Sequence, residues 1–225
     1  MCFHRFYETW LHQLHSLHHQ LTSAPKPRTQ EDELHLSHLV DKSMTHYYDY
    51  YRVKSSASKH NILSILTPTW TTPLERSLQW VAGWRPTTVF HLIYTESSVR
   101  FEAQIMDILR GRRTGDLGDL SPSQLGGVSE LQCETVREEN EITEELSEWQ
   151  VNVEDLISVC PDMEGKIQRL VKVVEKADDL RLKTIQRVVE ILTPQQAVEF
   201  LIAAAELQFG VRGWGLDQDR RSRSM

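Results

Sequence analysis

Apolar residues recur along this chain at helical spacing for most of its length. Phe3, Phe6, Trp10, Leu14, Leu17 and Leu21 form one face of a first helix, which Ala24-Pro25-Lys26-Pro27 must end because proline excludes the preceding residue from helical backbone. Leu36, Val40, Met44, Tyr47 and Tyr51 mark a second helix, expected to stop in the Ser55 to Ser58 stretch and to be followed by a short apolar piece, Ile62 to Leu66. Thr72-Pro73-Leu74-Glu75 reads as a helix start, with Thr72 as N-cap and Pro73 at the first helical position, opening a brief helix that runs to about Gly83. After the Trp84 to Thr88 turn, Phe90, Tyr94, Phe101, Ile105 and Ile108 predict another amphipathic helix, closed by the loop from Gly111 to Gly118.

The sharpest start signal is Ser121-Pro122-Ser123-Gln124, in which Gln124 can reach back to the Ser121 amide as a capping box. The helix it opens has Ile142, Leu146, Trp149, Val153 and Leu156 on one stripe. Cys160-Pro161-Asp162 restarts the chain, and Met163, Ile167, Leu170, Val174 and Ala177, continued by Ile185, Val188 and Leu192, give the next stripe. Thr193-Pro194-Gln195-Gln196 repeats the start signal. The last helix, Ala197 to Phe209, is apolar almost all round, so it belongs at the centre, with Gly210 as its C-cap. No alternating strand pattern is present. The fold class is therefore all-α, a single-domain bundle of about six to eight helices over residues 3–214, with residues 215–225 as a flexible basic tail.

Charge singles out one of these helices. Between Ser121 and Gln150 eight glutamates stand against one arginine, a local balance of −7 that equals the formal charge of all 225 residues. Such a field disfavours nucleic acid; a solvated helix face is the first reading and a docking surface for a basic partner the second. The three cysteines form no CxxC pair and fit a reducing compartment, with Cys133 and Cys160 expected as small buried hydrophobes. No segment has the apolar length of a signal peptide or a membrane span, so the expectation is a soluble intracellular protein, in the nucleus, the cytoplasm or both; Arg220 to Arg223 is a weak basic cluster.

Candidate chemistry is sparse. His12, His15 and His19 lie along one strip of the first helix, and an i, i+4 pair can place two imidazoles on a metal, but no cysteine or HExxH pattern accompanies them. No metal or cofactor is assigned. A nucleophile with its base and a phosphate loop are both missing, which argues against an enzyme. The candidate partner-binding residues are Trp80, Trp84 and Arg85, because aromatic rings and a planar cation at a corner favour recognition, together with Glu138 and Glu139 of the acidic helix. The competing reading places Trp84 in the core and pairs Arg85 with a glutamate of that helix. An apolar cavity between helices, able to hold a lipid-like ligand, is a further option.

Five segments taken together, Phe6-Tyr7-Glu8-Thr9-Trp10, His46 to Arg52 (HYYDYYR), Trp84-Arg85-Pro86-Thr87, Leu120 to Leu125 (LSPSQL) and Thr135 to Glu141 (TVREENE), are similar to the plant seed-dormancy control, or delay-of-germination, family. The domain of that family also forms the C-terminal part of TGA-type bZIP transcription factors. The resemblance spans about Phe3 to Trp214. It implies a regulatory, non-catalytic helical domain acting through protein partners, a signalling phosphatase or bZIP-type transcription regulators. With no basic helix and zipper ahead of the domain, any DNA association is expected to be indirect. Some members carry two histidines four apart near the end of the last helix; the matching positions here are Gln208 and Arg212, so haem ligation at that point does not carry over.

Overall fold

Capping chemistry sets where the helices begin. In the computed structural model, which describes residues 3–151 and 163–223, the side chain of Thr72 accepts from the Glu75 amide and Glu75 accepts from the Thr72 amide. Ser121 with Gln124 and Thr193 with Gln196 close the same reciprocal pair. A fourth box, Thr29 with Asp32, starts the second helix. The described elements are α1 (Phe3–Ser23), α2 (Gln30–Leu66), α3 (Pro73–Ser77), α4 (Thr88–Leu109), a 3-10 turn (Leu117–Asp119), α5 (Pro122–Val151), α6 (Met163–Ile191) and α7 (Pro194–Arg223). Among the described residues there are seven α-helices and no strand, so the fold is an all-α bundle.

The apolar stripes meet in three clusters. One joins α2, α4, the first half of α5, the end of α6 and the start of α7 around Phe90, Val128, Val188 and Phe200, all at most 1% exposed. A second lies between α5 and α6 around Val174 and Ala177. The third packs Phe3, Tyr7, Trp10 and Leu14 of α1 against Ile65 and Ala205. α5 and α6 pair with each other, while α7 touches α1, α2, α3, α4 and α6 and so occupies the middle.

Several expectations need correction. α2 does not stop at Ser55 to Ser58; it runs on to Leu66, with a single break at Asn61 (φ −155°, ψ 85°). Tertiary contacts hold it there: Ser58 is buried and the Ser55 hydroxyl donates to Glu175 of α6 at 2.8 Å. α3 ends at Ser77, short of Gly83. Among the side chains of α4 that the structure describes, which leave out Ile108, Val89, Phe90 and Ile93 are buried whereas Phe101 and Ile105 are exposed; the second half of the helix packs on the 3-10 turn, where Gln104 donates to Asp116 at 2.8 Å. Cys133 is exposed, since it lies off the buried Leu131 and Thr135 positions of α5. Val153, Leu156, Cys160 and Pro161 fall outside the described residues.

The largest correction concerns the C-terminus. Gly210 does not cap α7, which continues to Arg223, and residues 215–223 are helix rather than a flexible tail. Gly215 makes this possible. A Cβ there would stand 2.1 Å from Oγ1 of Thr72, so only glycine lets α7 pass this close to the N-cap of α3.

Candidate functional site

Four of the five candidate residues, Trp80, Trp84, Arg85 and Glu139, meet at one corner, where the chain leaves α3 and turns towards α4 against α5 and α6, and Glu138 is next to it on α5. The turn is tight: the Trp80 amide donates to Gly83 O at 2.7 Å and the Gly83 amide returns to Trp80 O at 3.2 Å. Its two central residues, Val81 and Ala82, have φ of 44° and 59°, the left-handed region in which a β-branched side chain is an outlier. Holding such backbone costs on the order of 1–3 kcal/mol per residue, so something must over-determine it.

Two buried cations do so. Arg181 of α6, fully buried, donates from Nε to Trp84 O at 2.6 Å and from Nη2 to Val81 O at 2.9 Å and to Trp80 O. Lys54 of α2 donates to Ala82 O at 2.7 Å. Four carbonyls of one short loop are thereby fixed from behind. Asp178, 4% exposed, joins the two cations, accepting from Lys54 at 2.8 Å and from Arg181 at 2.5 Å. Charges this deep are tolerated because each is paired with an opposite charge and hydrogen-bonded. Burial lowers the Lys54 ammonium to about 8, against the pull of Asp178. Arg181 also stacks over the Trp80 ring, 5.3 Å from its centroid.

α5 anchors the outer side of the corner. Glu139, buried at 0% exposure, accepts from Arg85 Nε at 2.7 Å, from the Thr87 amide at 2.6 Å and from the Thr87 hydroxyl at 3.3 Å. Trp84 Nε1 donates inward to the Tyr51 hydroxyl at 2.9 Å, and its ring packs on the first core cluster. Trp84 and Glu139 are therefore committed to the fold and are not surface groups. Trp80 is half-buried, with Nε1 donating to Thr143 of α5 at 3.0 Å. The Arg85 side chain remains 52% exposed beside its pair. Glu138 lies at the surface and pairs with Lys183 at 2.7 Å, as Glu145 does with Lys176 at 2.6 Å. Glu130, Glu134, Glu141, Glu144 and Glu148 have no ion partner among the described residues.

Sequence reasoning missed Lys54, Asp178 and Arg181. The signal was present, since all three interrupt apolar stripes: Arg181 stands four residues from both Ala177 and Ile185, and Lys54 three from Tyr51. Glu139 likewise follows Thr135 on the buried side of α5. Of the strip His12, His15 and His19, one residue makes a contact across the helix pair, and His18 beside it makes another. The ring of His15 stacks on Phe209 at 3.7 Å between centroids, and His18 meets Glu206 at 3.3 Å. Gln208 and Arg212 face α1 and α3, with Gln208 donating to the Tyr7 hydroxyl at 3.4 Å and Arg212 to Trp70 O at 3.2 Å.

Comparison with known proteins gives the corner a context. The family described as seed dormancy control (DOG1) matches at residues 13–95. Protein DOG1-like 4 of Arabidopsis thaliana is 33% identical over 230 residues, covering 95% of this chain and 91% of that protein. Protein DOG1-like 2 of the same plant is 30% identical, with 84% and 79% covered. Transcription factor TGA2, also from Arabidopsis thaliana, is 28% identical across 90% of this chain, which spans 60% of that factor's length.

Proposed function

This chain belongs to the DOG1-type seed dormancy control family, and from that premise we propose that it is a non-catalytic regulatory domain that works by docking onto signalling or transcription partners. The observation that carries the reading is the surface formed where the clamped corner meets α5. Trp80 and Arg85 stand on it with Trp84 and Glu139 behind them, Glu138 is the next residue of α5, and the exposed, unpaired Glu141, Glu144 and Glu148 add negative charge on the solvent side of that helix. A half-exposed tryptophan and a half-exposed arginine on a rigid loop supply hot-spot chemistry at low ordering cost. The glutamates supply attraction for a basic segment. Among the described residues no helix is long and apolar enough to cross a membrane, and the family context points to partners in the nucleus, the cytoplasm or both.

The test is affinity purification with mass spectrometry from plant tissue, comparing the native chain with a Glu141→Lys, Glu144→Lys, Glu148→Lys variant. These side chains are exposed and unpaired, so the variant is expected to fold. A phosphatase or bZIP complex captured by the native chain and lost by the variant supports docking on this surface. The same partners with both chains move the surface elsewhere, and no reproducible partner with either removes the reading.

The likeness to TGA2 over 90% of the chain favours a second reading, a cofactor or dimerisation partner of bZIP factors. A two-hybrid screen against bZIP chains tests it. Absence of signal together with a purely cytosolic reporter fusion removes it.

A further inference from the structure

Behind the corner lies a cavity of about 360 Å³, within the size range of small-molecule sites. Rings line much of it: Phe3, Tyr7 and Trp10 from α1, Tyr47 and Tyr50 from α2, and Phe200 from α7. Leu78 and Leu207 also line it and are 59% and 43% exposed, so the cavity opens to solvent between α3 and α7. A core that were simply well packed would close such a space, because voids larger than a water molecule are few in protein interiors.

Three of the polar groups on the walls have donor capacity to spare. Neither the Tyr47 nor the Tyr50 hydroxyl has a hydrogen-bond partner among the described residues, although both rings are held within the aromatic cluster. Burial pushes the Tyr47 hydroxyl up to about 12 and the Tyr50 hydroxyl well above the ordinary tyrosine value, so both keep their protons and act as donors. Lys54 lines the cavity as well. Two of its three N–H groups go to Ala82 O and Asp178, leaving one donor over. The carboxylate on the wall, Glu75, is already engaged by the Thr72 amide at 2.7 Å, by Arg212 at 3.4 Å and by the Tyr7 hydroxyl at 3.4 Å. Unused donors therefore stand beside flat aromatic walls, and the one carboxylate among the lining residues is already engaged.

We propose that this cavity binds a small planar organic molecule bearing a hydrogen-bond-accepting group, of the aromatic carboxylate class. The ring system packs against the ring wall of Trp10, Tyr50 and Phe200, and the carboxylate accepts from the Tyr47 and Tyr50 hydroxyls and from the remaining N–H of Lys54. Gly83, Trp84 and Arg85 belong to the same wall, so an occupant touches the inner side of the loop whose outer side forms the proposed docking corner. The binding claim stands independently of that docking.

Titration calorimetry of the whole chain with 1-naphthoate tests it, followed in parallel by tryptophan fluorescence, since Trp10, Trp70 and Trp84 all line the cavity. The native chain is expected to bind one equivalent saturably. Tyr50→Phe removes one donor without changing the ring and should weaken binding about fivefold, the loss of one hydrogen bond of about 1 kcal/mol. Ala204→Phe adds a ring to the cavity wall and should abolish binding with helical circular dichroism unchanged. No saturable binding to the native chain, or native affinity in a folded Ala204→Phe protein, overturns the proposal. If Ala204→Phe does not fold, Tyr50→Phe decides alone, and unchanged affinity in it overturns the proposal.

Discussion

Glu139 and Glu141 stand two residues apart on α5 and live in opposite surroundings. Glu139 is fully buried, with three donors gathered around its two oxygens, whereas Glu141 is exposed and unpaired. The buried side of the corner, with Glu139, Asp178, Arg181 and Lys54, is a closed polar network in which every charge is answered. The outer side of α5 is an open row of like charges answered by water and two lysines. Charge count along the sequence does not separate these roles. What separates them is the helical phase of each residue relative to the apolar stripe.

That contrast can be broken most severely at Arg181. Arg181→Met leaves Asp178 with one cation and strips donors from the carbonyls of Trp80, Val81 and Trp84, so a loss of about 3–5 kcal/mol is expected in urea denaturation. Glu139→Ala should cost about 2 kcal/mol by the same measurement, since the Thr87 amide loses its acceptor while the half-exposed Arg85 regains water.

A pH series sharpens the contrast on a third group. Burial against the Trp10 ring lowers the His46 imidazole from 6.5 to about 4. The unfolded chain therefore takes up a proton that the folded chain refuses between those values. The His46 contribution is complete above pH 6.5 and is lost as pH falls towards 4, and a Tm series should show that decline reduced in His46→Phe. Ala82→Gly relieves a left-handed φ and should raise stability by about 1 kcal/mol. Glu141→Gln, on the open side, should change stability by less than about 0.5 kcal/mol, which is the point of contrast with Glu139.

The parts of the fold legible in the sequence were those decided locally. The starts of α3, α5 and α7 follow from capping boxes that need only four neighbouring residues, and α1 follows from a stripe ended by prolines. The parts that were not legible depend on distant partners. Nothing local in Ser55 to Ser58 announces that Glu175, 120 residues away, will hold α2 in register. Nothing around Gly210 announces that Thr72 waits for Gly215. The resemblance to the family was legible because five separated segments agreed at once. The site was half legible: the corner residues were named, but two of the five point inwards, and the three buried charges that hold the corner were passed over within apolar stripes.

The central position of α7 sets the order in which the chain becomes a protein. The helix that contacts α1, α2, α3, α4 and α6 is also the last of them to be synthesised. While the ribosome is still translating it, the inner faces of the earlier helices have no central element to close on. Closure of the bundle therefore waits until α7 has left the exit tunnel, and before that the rings and leucines meant to face it have no partner.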